Sequence, residues 1–408
     1  MHPLALAYLG SHFLSLLGNG IAAIALPLIV LQVTGSPLSM GIIAASTAVP
    51  AVLIGLVAGF VLDRWNRRNL SVASDIISAA AIAALPVVDM LWGLELWWFV
   101  VLGIIGAFGD VPGSTAREVL VASVVRRSGV SLDRMVGVRE TLTSVALILG
   151  PALAGTLVAL LGPSAVFFIT AGTSAGAALL TLVIPREAGR VTPSAHGPGS
   201  PASPETPWQQ ITGGFTALRH SRFLIGVIVL IVGLTTVGGG LQGLVLPLHF
   251  ATIERPELLG LVLSTMAAGM LVGGLSFSVL GTRLSRRAWL TIGFSALTIG
   301  YASLSTLAST PVIFASAAIV GLSSALVGAT LGVLLVEQTP DRVRGRVLAL
   351  ENTALQLAAP LGIGGAGIIA ELSSPVIAGL AVTGVWAVAL LSVLATRSLQ
   401  DLEHEGSR

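Results

Sequence analysis

Long apolar stretches alternate with short polar ones along the whole chain. A membrane-spanning helix needs about 20 mostly apolar residues. Runs of that length fall at 4–33, 37–62, 70–91, 97–125, 135–160, 163–184, 221–250, 257–281, 288–308, 311–338, 346–371 and 374–396. The pattern predicts an all-α polytopic membrane protein with 12 transmembrane helices in two six-helix bundles. Only the break at 185–220 is long. Its PREAGRVTPSAHGPGSPASPETP segment, rich in Pro, Gly and Ser, reads as a flexible linker. The expected organisation is therefore an N-terminal bundle at 1–184, a cytoplasmic linker at 185–220, a C-terminal bundle at 221–396 and a cytoplasmic tail at 397–408. The first apolar run is too long for the core of a cleaved signal and lacks a basic leader, so it reads as an uncleaved first helix.

Composition sharpens this reading. Of 408 residues 54% are hydrophobic and 10% charged, against about 25% charged in soluble domains. One soluble core could not hide so much apolar surface, whereas lipid solvates it. All 21 basic residues are arginine. Without lysine there is no P-loop lysine and no Schiff base, so uphill work must come from an ion gradient or a partner subunit. The chain has no cysteine, and its six histidines form no HxxxH pair. No metal site, cofactor or nucleophile–base constellation is expected, and the chain reads as a non-enzyme. No basic cluster is interleaved with aromatics, so nucleic acid is not an expected partner.

Arginine placement orients the chain. Arg64, Arg67 and Arg68 follow span two, and Arg126, Arg127, Arg134 and Arg139 surround the turn after span four. Arg186, Arg190, Arg219 and Arg222 lie between spans six and seven. Arg283, Arg286 and Arg287 follow span eight, Arg342, Arg344 and Arg346 follow span ten, and Arg397 and Arg408 lie in the tail. These loops share one face if the spans alternate. The other face carries only Arg255, and Arg117 falls within the membrane. By the positive-inside rule the arginine-rich face and both termini are expected to be cytoplasmic, and the expected location is the inner (plasma) membrane.

The halves repeat weakly and in the same order. GLVAG at 55–59 matches GMLVG at 269–273, RWNRR at 64–68 matches RLSRR at 283–287, and DRMVG at 133–137 matches DRVRG at 341–345. The first pair offers small-xxx-small faces for close helix packing. Parallel six-helix repeats build one large group of secondary transporters.

On these motifs the chain resembles the major facilitator superfamily. GFVLDRWNRR at 59–68 looks like the signature between its second and third helices, with Gly59, Asp63, Arg64, Arg67 and Arg68 in register and Asn66 replacing a glycine. In the second-half copy Thr282 takes the place of Asp63. ALILGPALAG at 146–155 resembles the antiporter signature of helix five through Gly150, Pro151 and Gly155, with Ala154 replacing a glycine. TPDRVRGRV at 339–347 resembles the turn between helices ten and eleven. The run TAREVLVASVVRRSGVSLDRMVGV is similar to Tap-type multidrug efflux pumps, which share a TAR-[DE] element and an SLDR turn. The membrane arginine found early in helix four of many drug antiporters is absent, so their coupling scheme does not transfer. The resemblance implies a drug:proton antiporter, conferring antibiotic resistance by efflux. The linker and tail are too short and polar for the signalling appendage of a membrane sensor.

Ionisable groups inside a membrane cost about 2.5–3.5 kcal/mol at mid-helix and so invite a functional reading. Asp75, near the cytoplasmic end of helix three, is expected to pair with the 64–68 arginines and join them in a gate. Arg67 could equally pair with Asp75 or Glu118. Arg117 and Glu118 are adjacent and point about 100° apart, so each needs a partner on another helix. Glu140 on helix five is the candidate for Arg117. Glu337, Glu351 and Glu371 sit near helix ends and read as interfacial. Asn19 and Gln242, amides at comparable depths in spans one and seven, either bridge helices or contact substrate. Trp92, Trp97 and Trp98 fit an interfacial aromatic belt.

Asp110, in GIIGAFGDVPG, lies near the bilayer midplane beside Pro112 and several glycines that could let the helix bend. A carboxyl there can be neutral when buried and charged when wetted, which would carry one proton per cycle. The alternatives are a structural bond to Arg117 or to backbone near Pro112, and cation binding without proton exchange. Asp110, Glu118 and Glu140 are thus the proton-coupling candidates, and Asn19, Asp110, Arg117 and Gln242 the cavity candidates. The expected function is proton-coupled efflux of amphipathic, partly cationic compounds by a monomer in the bilayer. Export of a metabolite such as a siderophore or peptide shares every motif. A lipid flippase should show more basic residues at depth than Arg117 alone.

Overall fold

The computed structural model describes residues 2–62, 64–190, 221–280, 285–338 and 341–395. All regular structure there is helical, as a bilayer demands of backbone groups that find no water to bond. The first half contains α1 (Pro3–Thr34), α2 (Pro37–Leu62), α3 (Arg67–Trp92), α4 (Leu96–Ser128), α5 (Leu132–Leu161) and α6 (Pro163–Val183). The second contains α7 (Arg222–Gly240), a π-turn (Leu241–Val245), α8 (Leu246–Thr252), α9 (Pro256–Leu280), α10 (Arg286–Ser305), α11 (Thr310–Gln338), α12 (Asp341–Leu372) and α13 (Pro375–Ala395). Among the described residues, 12 helical stretches are long and apolar enough to cross a membrane, α7, the π-turn and α8 counting as one.

Local chemistry sets the ends. Pro3, Pro37, Pro163, Pro256 and Pro375 open helices, where a missing N–H costs nothing. Asn66 caps α3, its side chain accepting from the Arg68 and Asn69 N–H groups at 3.1 and 3.2 Å. Ser221 and Ser285 cap α7 and α10 in the same way. Gly35 and Gly129 end α1 and α4 in the left-handed conformation that glycine adopts freely.

The chain packs as two compact units. The first holds Met1–Gly35, Ile42–Ser203 and Glu254–Leu261, and the second Ser36–Gly41, Pro204–Ile253 and Val262–Arg408. In the first unit α1 packs along α5 and α6, and α3 along α4 and α6. In the second, α7 packs along α12 and α13, and α10 along α11 and α13. Counted within each six-span set, these are the same four pairings, so the weak sequence repeats have a structural counterpart. Large apolar side chains such as Met90, Leu160 and Val388 are exposed, a poor surface for water and a good one for lipid.

Glycines allow the tightest crossings. Gly20 and Gly150 abut where α1 meets α5, and a Cβ on Gly150 would lie 3.0 Å from the Gly20 Cα. Gly155 meets the backbone of Pro256 and Gly260, and Gly260 meets the Pro151 carbonyl. The antiporter-like motif therefore acts as a packing surface on two sides. Gly269 and Gly273 lie against the backbone of Ala318 and Leu322, as the small-xxx-small pattern predicts. Glu371, expected to be merely interfacial, accepts from the Ser36 hydroxyl at 2.8 Å and the Leu38 N–H at 3.3 Å, capping the start of α2.

The first residues after α6 are ordered against the bundle. Residues Arg186–Gly189 form a 3-10 turn, with Ala188 and Gly189 buried, packed on α3 and α4. Gly189 fits against Asn66 and Arg68, where no Cβ would be accommodated, so glycine's lack of a side chain holds the turn down. Residues 191–220 lie outside the described part.

Candidate functional site

The polar centre of the first unit is built on α3. Its residues Ser71, Ser74, Asp75 and Ser78 recur at helical spacing and are all buried. α4 approaches this stripe through Gly109 and Gly113. A Cβ on Gly109 would lie 2.7 Å from both the Ser74 carbonyl oxygen and the Ser78 hydroxyl, and one on Gly113 would lie 2.6 Å from the Ser74 Cβ. These glycines therefore set a close helix crossing. They do not break the helix, since α4 runs unbroken through Pro112.

That crossing brings Arg117 onto Asp75. The Arg117 Nη2 donates to both carboxylate oxygens, at 2.8 and 2.6 Å, and each side chain is 7% exposed. The pairings expected of these residues are thus replaced. Asp75 pairs with Arg117 and not with the 64–68 arginines, and Arg117 pairs with Asp75 and not with Glu140 or Asp110. Helix register explains the switch, because the glycine notch aligns 117 with 75 across α3 and α4. Ser15 of α1 donates to Asp75 Oδ1 at 3.5 Å, and the Tyr8 hydroxyl donates to the Arg117 carbonyl at 3.1 Å. Among the described residues the Arg117 Nε is buried and finds no partner. A buried pair of this kind neutralises both charges and is costly to break from one side.

Asp110 sits two turns before Arg117 on α4. Its partner is Ser78, whose hydroxyl donates to Oδ1 at 2.6 Å. Asp110 keeps an accessible face on its unit. A serine hydroxyl both donates and accepts. Ser78 can therefore donate to an ionised Asp110 or accept from a protonated one without rearrangement. Asp75 is already neutralised by Arg117, whereas Asp110 is held by a neutral hydroxyl.

Other candidates are placed elsewhere. Glu118 and Glu140 are exposed, and Glu140 pairs with its neighbour Arg139 at 3.2 Å. Asn19 is exposed as well. Gln242 lies in the π-turn of the second unit. Arg68 is buried and donates to the carbonyls of Ile184 and Leu182 at 3.0 and 2.6 Å, satisfying the end of α6. The Asn66 amide donates to the Arg186 carbonyl at 2.8 Å, giving a structural use to the residue that replaces the motif's glycine. Among the described residues the buried Arg67 Nε finds no partner, so the expected bond to Asp75 or Glu118 does not form at that atom. Arg64 is exposed. Gly59 lies in α2, and Asp63 lies outside the described residues. Trp97 and Trp98 stack at 3.6 Å, with Trp92 6.0 Å from Trp98.

Sequence reasoning missed Ser15, Ser78 and Tyr8. The signal for Ser78 was present, because 71, 74, 75 and 78 share one face of an otherwise apolar helix. His12 was missed too; it bonds Thr143 at 3.1 Å and stacks on Tyr8, linking α1 to α5.

The family model described as Major Facilitator Superfamily matches residues 8–253 and 228–407. The multidrug efflux pump Tap of Mycolicibacterium fortuitum is 29% identical over 357 residues, covering 87% of this chain and 86% of its own. The multidrug efflux pump Tap of Mycobacterium tuberculosis (strain ATCC 25618 / H37Rv) is 32% identical over 294 residues, covering 69% and 67%. Among solved structures, the nucleoside transporter NupG superposes with a TM-score of 0.76 at 15% identity, covering 96% of this chain and 98% of that one. A bacterial homologue of the human lysosomal transporter Spinster superposes with a TM-score of 0.73 at 14% identity, covering 99% and 98%. Two matches of one family model that together span almost the whole chain, joined to twelve spans in a fold shared with solved transporters, mean that the chain belongs to the major facilitator superfamily and is a multi-pass membrane transporter, not an enzyme.

Proposed function

We propose that the protein exports amphipathic, at least partly cationic compounds in exchange for protons, by alternating access, from the inner (plasma) membrane. The observation that carries this reading is Asp110. It is a membrane-embedded acid, open at the surface of its unit and held by one hydroxyl that suits either protonation state. Beside it the Asp75–Arg117 pair is locked and already neutral. A carrier must take up and release a proton at accessible surface, and the exposure of Asp110 with its hydroxyl partner supports that role. An acid in an apolar span also favours cationic cargo over anionic. The relatives named as multidrug efflux pumps support drugs as the substrate class.

Uptake into inverted vesicles tests the proposal. Vesicles holding the protein, energised to an acidic interior, should accumulate cationic dyes well above vesicles without it. A proton uncoupler should abolish the excess. Accumulation that persists undiminished with the uncoupler overturns proton coupling.

Orientation has its own test. A reporter inserted at Pro204 should read cytoplasmic and one near Glu254 periplasmic, because the arginine-rich loops are held inside. Exchanged readings at these two sites would reverse the assignment.

A further inference from the structure

The seventh span changes helical register at the point where it carries its amide. α7 ends at Gly240, the π-turn occupies Leu241–Val245, and α8 resumes at Leu246. In the π-turn the Leu246 N–H is given to the Leu241 carbonyl. In an α-helix it would have gone to Gln242. The α-helical donor for the Gly243 carbonyl would be residue 247, which is proline and has no N–H. Two successive carbonyls, those of Gln242 and Gly243, thereby lose their α-helical donors.

The surroundings of this pair are apolar and closed on one side. Leu241, Leu244 and Val245 are buried. Gly239 and Gly243 lie against Ala359 and Ile363 of α12, where a Cβ would come within 2.5 and 2.7 Å of them. Gln242 is half-buried, with its Nε2 3.3 Å from where a Cβ on Gly238 would stand. Its side-chain amide finds no hydrogen-bond partner among the described residues. Gln242 is ten residues short of the Thr252 end of the span. At about 1.5 Å per residue this is about 15 Å, half of a ~30 Å hydrocarbon core. Carbonyls that lose their α-helical donors at such depth must be met by other protein groups, water or ligand.

We propose that the carbonyls of Gln242 and Gly243, with the unpinned Gln242 side chain as a third acceptor, form a subsite for an ammonium group that bears N–H. The ligand class follows from the donor count. A hydroxyl has one proton for these oxygens, whereas a primary ammonium has three and makes the stronger, charge-assisted bonds. A bare hard cation needs about six or more oxygen ligands, more than this turn supplies. The inference rests on the export reading above and narrows its substrate class from cations in general to amines that keep their protons.

Two fluorescent probes separate the possibilities: a dansyl group on a pentylammonium chain and the same molecule with a trimethylammonium head. Binding to the purified full-length protein in nanodiscs is measured against empty nanodiscs, and gradient-driven export of each probe in proteoliposomes. The wild type should bind the ammonium probe about tenfold more tightly than the trimethylammonium one. Pro247→Ala, which restores an N–H to Gly243, and Gln242→Leu, which removes the side-chain acceptor, should each erase most of that preference. Affinity for the trimethylammonium probe should stay within about twofold, which also reports that the variants are folded. Equal affinity of the wild type for both heads, or a preference that survives both substitutions, overturns the subsite. Failure of the ammonium probe to bind overturns it as well. Export of both probes without selectivity would overturn the subsite and leave the exporter reading standing, whereas selective binding with no gradient-driven export would overturn the exporter reading alone.

Discussion

Asp110→Asn is expected to reduce gradient-driven accumulation in proteoliposomes to the level of protein-free liposomes, while the protein stays folded and still binds substrate. Asparagine has nearly the shape of aspartate and can still accept the Ser78 hydroxyl bond, now 2.6 Å long at Oδ1. The change exchanges a charged acceptor for a neutral one, worth about 1 kcal/mol of stability. What asparagine cannot do is bind and release a proton. Counterflow, in which labelled substrate exchanges against unlabelled without a gradient, should therefore survive in the variant. Wild-type accumulation by Asp110→Asn would rule this residue out as the obligatory carrier. Loss of counterflow and binding together would instead place Asp110 in substrate binding alone.

Breaking the Asp75–Arg117 pair should have the largest effect on stability. Its two side chains are each 7% exposed, and the bond lengths are 2.6 and 2.8 Å. Removing one partner leaves a buried charge uncompensated, at a cost of about 3–5 kcal/mol. The two single changes should differ. Arg117→Met leaves Asp75, which can shed its charge by binding a proton. Asp75→Asn leaves a guanidinium, which cannot shed its charge in a protein. Asp75→Asn should therefore melt at the lower temperature in detergent, and Asp75→Asn with Arg117→Met should recover much of the loss. A double variant as unstable as the sum of the singles would mean that the two residues stabilise the fold independently. Asp75→Asn and Arg117→Met melting together would remove the argument from unequal discharge.

Much of this molecule was legible in its sequence. Each span is a property of one window of about 20 residues, since every such window must hide its own backbone and apolar side chains in lipid. The helix Pro163–Val183 shows this, closely matching the apolar run at 163–184. Prolines at helix starts and glycines at their ends are equally local signals. Partner choice was not legible for the opposite reason. Asp75 and Arg117 are 42 residues apart, on helices whose rotation is set by Gly109 and Gly113 against Ser74 and Ser78. Apolar windows carry no information about that rotation, so arginines nearer to Asp75 in sequence looked like its partners. Arg68 belonged by motif to a gate, yet tertiary packing put the end of α6 within its reach. Pro247 hinted that the seventh span loses a donor, but only packing against α12 shows how the turn is accommodated. Hydrophobicity along the chain determined how many helices cross the membrane and where they begin and end. Which buried polar groups meet was decided by the tertiary structure, because that depends on how small residues let particular faces of distant helices approach.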